Sequence, residues 1–131
     1  MRALTCVLLL SLTPVAMAAE ADPLSAFSDE QLIDPGFCFQ KFAEAVSAKN
    51  AVLVKAFLAE TPKALQGLDL KKEADRTKFL AAFSRFAGAR PIKSQRFAIT
   101  GLAEVTYASP KGGEHTVRLQ KAGPRWKIVL E

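Results

Sequence analysis

The sequence predicts an α+β fold, with three N-terminal helices packed on the concave face of a curved four-stranded antiparallel sheet. Three observations carry that expectation. Apolar residues recur at helical spacing up to about residue 87. After Pro91 they alternate with polar residues at a period of two. Short Gly- and Pro-bearing turns separate the alternating runs. At 131 residues, 50% hydrophobic and with nine Phe, the chain has material for one core and one domain.

The opening residues read as a targeting segment. Met1-Arg2 is a short positive start, Ala3 to Val15 is an apolar run, and Ala16-Met17-Ala18 is a small-residue cleavage pattern. At 1.5 Å per residue the apolar run is too short to cross a bilayer of about 30 Å. Residues 1–18 are therefore expected to be a signal peptide, and the protein to be periplasmic or secreted. Residues 19–33 are expected to be an acidic flexible leader, and residues 34–131 the folded domain.

Asp34-Pro35 has the composition of a helix start, with an Asp cap and Pro at the first helical position. Phe39, Phe42, Ala43 and Val46 then form a narrow stripe, with Cys38 at its edge. Asn50 caps a second helix, Ala51 to Ala59, whose apolar face is Val54, Phe57 and Leu58. A short helical turn follows at Pro62 to Gln66, and Leu68-Asp69-Leu70 reads either as a brief strand or as loop. The third helix runs from about Glu73 to Ala87 with Phe79, Phe83 and Phe86 on one side, and Gly88 ends it. Four strands follow. Phe97 and Ile99 mark the inward positions of the first. Ala103, Val105 and Tyr107 mark the second, Val117 and Leu119 the third, and Trp126, Ile128 and Leu130 the fourth. The links Thr100-Gly101, Ser109 to Gly113, and Gly123-Pro124 are short enough to imply a meander.

Three stretches of this chain resemble the nuclear transport factor 2-like superfamily, a cone-shaped α+β fold. They are FQKFAEAVSAKNAVLVKAF at Phe39 to Phe57, GLAEVTY at Gly101 to Tyr107, and the closing Gly123-Pro124-Arg125-Trp126-Lys127-Ile128. The resemblance extends from Asp34 to Leu130. It implies helices closing the mouth of a curved sheet around an interior that can hold a small molecule. The family's isomerases and dehydratases place polar catalytic groups inside the cone. The inward positions here read as Phe, Ile, Val, Leu, Ala, Tyr and Trp, so no catalytic residue is carried over.

Charge and chemistry narrow the remaining choices. Residues 19–35 hold Glu20, Asp22, Asp29, Glu30 and Asp34 and no basic residue. The rest of the chain is strongly basic, and the net charge is +5. In an exported domain such charge suits an anionic envelope component rather than nucleic acid. A single His and scattered acids do not make a metal site, and no Gly-rich phosphate loop or nucleophile elbow occurs, so no cofactor is expected. After signal cleavage Cys38 has no partner within the chain. It is expected to be a small buried hydrophobe.

The expected function is a non-catalytic binding or interaction module with an apolar pocket between helices and sheet. The lining would be Phe42, Val46, Phe57, Phe79, Phe83, Phe97, Val105, Tyr107, Leu119 and Trp126, and the ligand a small apolar molecule. Two alternatives stay open. One is an isomerase- or dehydratase-type enzyme that uses Tyr107 and His115, with an acid from Asp69, Glu73 or Asp75. The other is envelope association through a basic outer sheet face bearing Arg96, Arg118, Arg125 and Lys127. A homodimer through that face would bring like charges together. Membrane contact is expected only during export.

Overall fold

The computed structural model describes residues 23–97 and 99–130. The expected signal peptide lies outside the described residues, as do the first four residues of the expected leader. From Pro23 onward the chain is α+β, with helices first and a four-stranded antiparallel sheet last.

Among the described residues four α-helices precede the sheet: α1 (Asp29–Leu32), α2 (Pro35–Ser47), α3 (Ala51–Phe57) and α4 (Glu73–Ala81). Helix α2 starts where Asp34 accepts the Gly36 N–H at 3.1 Å and Pro35 occupies the first turn. Its stripe of Cys38, Phe39, Phe42, Ala43 and Val46 is buried. Lys49, at φ 59°, turns the chain, and Asn50 caps α3 by accepting the Leu53 N–H at 3.2 Å. Helix α4 is shorter than its Phe spacing predicts. It ends at Ala81, and a 3-10 turn at Ser84–Phe86 carries the last ring inward, so that Phe79, Phe83 and Phe86 are all buried. Leu68-Asp69-Leu70 is loop that leads into a turn, braced where Asp75 accepts the Asp69 N–H at 2.9 Å and Arg76 donates to Leu70 O at 3.2 Å.

The sheet is an open meander in the order β1 (Arg90–Phe97), β2 (Leu102–Ala108), β3 (Glu114–Ala122) and β4 (Arg125–Val129). Gly112 and Gly113, at φ 101° and 85°, make the left-handed corner of the β2–β3 turn. Ala103, Val105, Tyr107, Val117, Leu119, Trp126 and Ile128 face the helices and are buried. The core between the two layers is largely aromatic. Phe39 stacks on Tyr107 with centroids 4.8 Å apart, Phe42 meets Phe86 at 5.2 Å, and Phe79 meets Phe83 at 5.0 Å. Such pairs add about 0.5–1.5 kcal/mol each beyond their burial.

Two expectations are corrected. The acidic leader is not a loose tail from Pro23 onward. A 3-10 turn at Pro23–Ala26 buries Leu24, and α1 buries Leu32. Phe27 lies 5.8 Å from Phe37 and 6.0 Å from Phe57. Ser28 and Gln31 close a reciprocal capping box, and Trp126 Nε1 donates to Ile33 O at 2.8 Å. A run of acids looks solvated in sequence, but Leu24, Phe27 and Leu32 pack inward while Asp29, Glu30 and Asp34 face out.

The second correction concerns the first strand. It begins at Arg90 rather than near Arg96, and its pairing slips between Pro91 and Lys93. Phe97 pairs with Leu102 and Arg96 with Ala103. Partners across a ladder share a face, so Arg96 falls on the helix-facing side and Phe97 on the outer side, the reverse of the expectation. Ile99 belongs to the turn, not to the strand.

Candidate functional site

The ten residues expected to line an apolar pocket divide nine to one. Phe42, Val46, Phe57, Phe79, Phe83, Val105, Tyr107, Leu119 and Trp126 belong to one packed cluster with Phe39, Phe86 and Ile128. Phe97 stands outside it on the other face, half-buried. The cluster is knit by ring contacts of 4.8–6.3 Å. Among the described residues no charged side chain is buried, and the buried side chains that carry a polar atom are Cys38, Tyr107 and Trp126. A ligand entering this cluster would have to displace rings that already fill one another's gaps.

Tyr107 and His115 are brought together, but not inside. They sit opposite one another on β2 and β3 with centroids 5.7 Å apart. Tyr107 is buried against Phe39 and Phe86, whereas His115 is exposed beyond the end of the helical layer. Asp69 and Asp75 are taken up in the turn before α4, and Glu73 is exposed in its first turn. The expected acid, base and hydroxyl therefore do not converge on one cavity. Among the described residues no group of three His, Cys, Asp or Glu could hold a metal ion.

Cys38 is fully buried, and its thiol donates to Leu32 O at 3.2 Å. Burial, reinforced by the nearby Asp34 carboxylate, pushes the thiol up from its ordinary 9.0 to about 11. It is a protonated core side chain, and it ties α2 to α1.

The outer sheet face carries Arg118, Arg125 and Lys127, as expected, with Lys93 where Arg96 was expected. It is not uniformly basic. Glu104 is paired directly with Arg118 in the ladder, and Lys127 reaches around the edge to donate to Ala56 O at 2.6 Å.

The two edges of the sheet differ. β4 is covered, because Leu58 bridges Ile128 and the Ala59 N–H donates to Ile128 O at 2.8 Å. β1 has no strand beyond it among the described residues, and its residues 92–96 are exposed on both faces, with Ile92 at 50%. Between β1 and α2 runs an open groove that the sequence did not announce. One part, of about 750 Å³, has small residues along it (Ala43, Ala48, Gly88, Ala89 and Pro91) and polar rims at Gln40, Glu44, Ser47 and Arg90. It adjoins a second depression of about 290 Å³ bounded by Asp34, Gly36, Phe37, Ile92, Lys93 and Ser94, with Gln40 and Pro91 common to both. Ser47 Oγ accepts the Gly88 N–H at 3.0 Å and joins the far wall to the helix. The spacing of small residues, Ala43 and Ala48 on the helix and Gly88-Ala89 before the strand, is the one sequence signal that could have located it.

Fold and groove together define an open-faced α+β domain with a filled interior, one covered sheet edge and one uncovered edge. No protein-family model, curated protein or solved structure matches the chain.

Proposed function

We propose that this protein is an exported, non-catalytic binding module of the nuclear transport factor 2-like type, and that it binds its ligand in the groove between α2 and β1 rather than within the cone. The observation that carries the reading is the coincidence of an uncovered edge strand with a groove floored by small side chains. An edge strand offers a row of backbone N–H and C=O groups, and small residues let another backbone approach closely. An extended peptide segment is the ligand that uses both. The larger part of the groove, about 750 Å³, lies in the range of ordinary ligand sites.

The non-catalytic reading is supported by where the candidate groups lie: Tyr107 is packed against Phe39 and Phe86, His115 is exposed, and Asp69 and Asp75 are engaged in the turn before α4. Export is supported by the Met1 to Ala18 pattern. The superfamily kinship is supported by the order of helices and meander together with the Gly123 to Ile128 ending.

The test uses the chain from Ala19, which contains every described helix and strand. Random decapeptides displayed on phage are selected against it, and a selected peptide is titrated into the isotope-labelled protein. Amide shifts are expected along 40–48 and 88–94. Filling the groove at two exposed positions, Gln40→Trp and Ala48→Trp, is expected to weaken binding about tenfold or more while leaving the circular dichroism unchanged. Shifts centred on the Phe cluster, or undiminished affinity in the filled variant, would refute the groove.

A further inference from the structure

The end of the sheet formed by the β1–β2 and β3–β4 turns carries a second surface, independent of the groove. Ile99 stands there at 101% exposure, clear of the rest of the molecule. The turn holds it out. Phe97 O accepts the N–H groups of Thr100 and Gly101, both at 3.1 Å, and the Thr100 hydroxyl at 3.2 Å. Gly101 supplies the left-handed corner at φ 69°. The Lys121 N–H donates to Gly101 O at 2.9 Å and joins the two turns into one rim. Phe97 and Leu102 are half-buried beside the turn on the outer face.

Charge surrounds this apolar tip from both faces of the sheet. Arg96 and Lys121 lie on the helix-facing side, where Lys121 Nζ sits 5.8 Å from the centre of the Trp126 ring, and Arg125 lies on the other; Lys127, further along β4, is turned to Ala56 O. The segments Ser94 to Ala103 and Leu119 to Leu130 hold these four basic residues and no Asp or Glu. Asp34, near Ser94 on the helical layer, is engaged in capping α2.

A protein partner is met by a flat or concave apolar area, whereas a single aliphatic side chain on a protruding turn suits a fluid surface that can close around it. A basic collar around that side chain complements anionic headgroups. We propose that this end of the sheet docks on an anionic lipid bilayer, with Ile99 inserted at the boundary of headgroups and acyl chains and Arg96, Lys121 and Arg125 among the headgroups. No described helix is long and apolar enough to cross a membrane.

The experiment is sedimentation of the chain from Ala19 with vesicles of phosphatidylglycerol and phosphatidylcholine in equal parts, and with vesicles of phosphatidylcholine alone. Without residues 1–18, binding cannot come from the apolar start of the sequence. Binding is expected only to the anionic vesicles. Ile99→Ser should weaken it about tenfold, as removal of one aliphatic side chain from the boundary implies. The double variant Arg96→Glu/Lys121→Glu should weaken it by more than tenfold. Ile99→Trp should strengthen it, and Lys111→Glu, in the hairpin at the opposite end, should leave it unchanged. Failure to bind the anionic vesicles would overturn the proposal. So would equal binding by wild type and Ile99→Ser, no gain from Ile99→Trp, or an equal loss from Lys111→Glu, each of which would reduce the effect to unspecific charge.

Discussion

Cys38 shows how one side chain's surroundings outweigh its intrinsic chemistry. An accessible thiol invites pairing or reaction, but this one has no exposed surface and donates a hydrogen bond to a backbone carbonyl. With its pKa raised to about 11, the folded state favours the protonated form. The sign of the pH effect follows. The fold retains a proton that the unfolded chain releases near pH 9, so the stabilising contribution is intact below pH 9 and is lost as pH rises through about 11. The difference in urea midpoint between wild type and Cys38→Ala should therefore stay constant from pH 7 to 9 and shrink above it. Iodoacetamide at pH 8 should leave the native thiol unmodified and label it in urea. A difference that does not change with pH, or rapid native labelling, would contradict this account. Burial of Cys38 was legible from the flanking Phe37 and Phe39. Its hydrogen bond to Leu32 was not, because Phe27, Leu32 and Ile33 mark the leader as able to tether but do not say where it docks.

At the scale of elements, the segment Pro23 to Ile33 has the largest untested consequence. Leu24 and Leu32 are each wholly buried, and Trp126 on the last strand donates to Ile33 O at 2.8 Å. The end of α1 and the last strand are thus joined across most of the chain. Leu24→Ala and Leu32→Ala should each cost about 2–5 kcal/mol in chemical denaturation, the range for deleting a buried leucine. Substitution in a solvated tail would change stability by less than about 0.5 kcal/mol, and a value that small would mean the segment does not dock. The helix starts at Asp34-Pro35 and Asn50 were readable, because caps depend on residues within one turn. The first strand was misread for the converse reason. The alternation of Phe97 and Ile99 is local, but the face it points to depends on a register slip near Ile92 that only the neighbouring strand decides.

Across the whole molecule, the two sheet edges set an order of stability. β2 lies between two strands and buries Ala103 and Val105 completely, while β1 is exposed on both faces over residues 92–96. Local opening is easiest where buried apolar contact is least. Hydrogen exchange should therefore release the β1 amides well before those of β2 and β3. Protection of β1 equal to that of β2 in the unliganded protein would mean that the edge is already covered, and would count against the groove as a binding site. A slowing of β1 exchange on adding a groove-binding peptide is the corresponding positive sign.

Periodicity and capping in the sequence alone settled the fold class, the order of its helices and strands, and nine inward-facing residues that meet in the core. These depend on short-range spacing and on the need to remove large apolar side chains from water, both of which are written along the chain. Only the tertiary structure decided that those nine fill the interior rather than line it, that residues 23–33 belong to the fold, and that β1 stands uncovered beside α2. Packing density, docking of a segment and exposure of an edge each depend on which distant surfaces meet, and distance along the chain does not encode that.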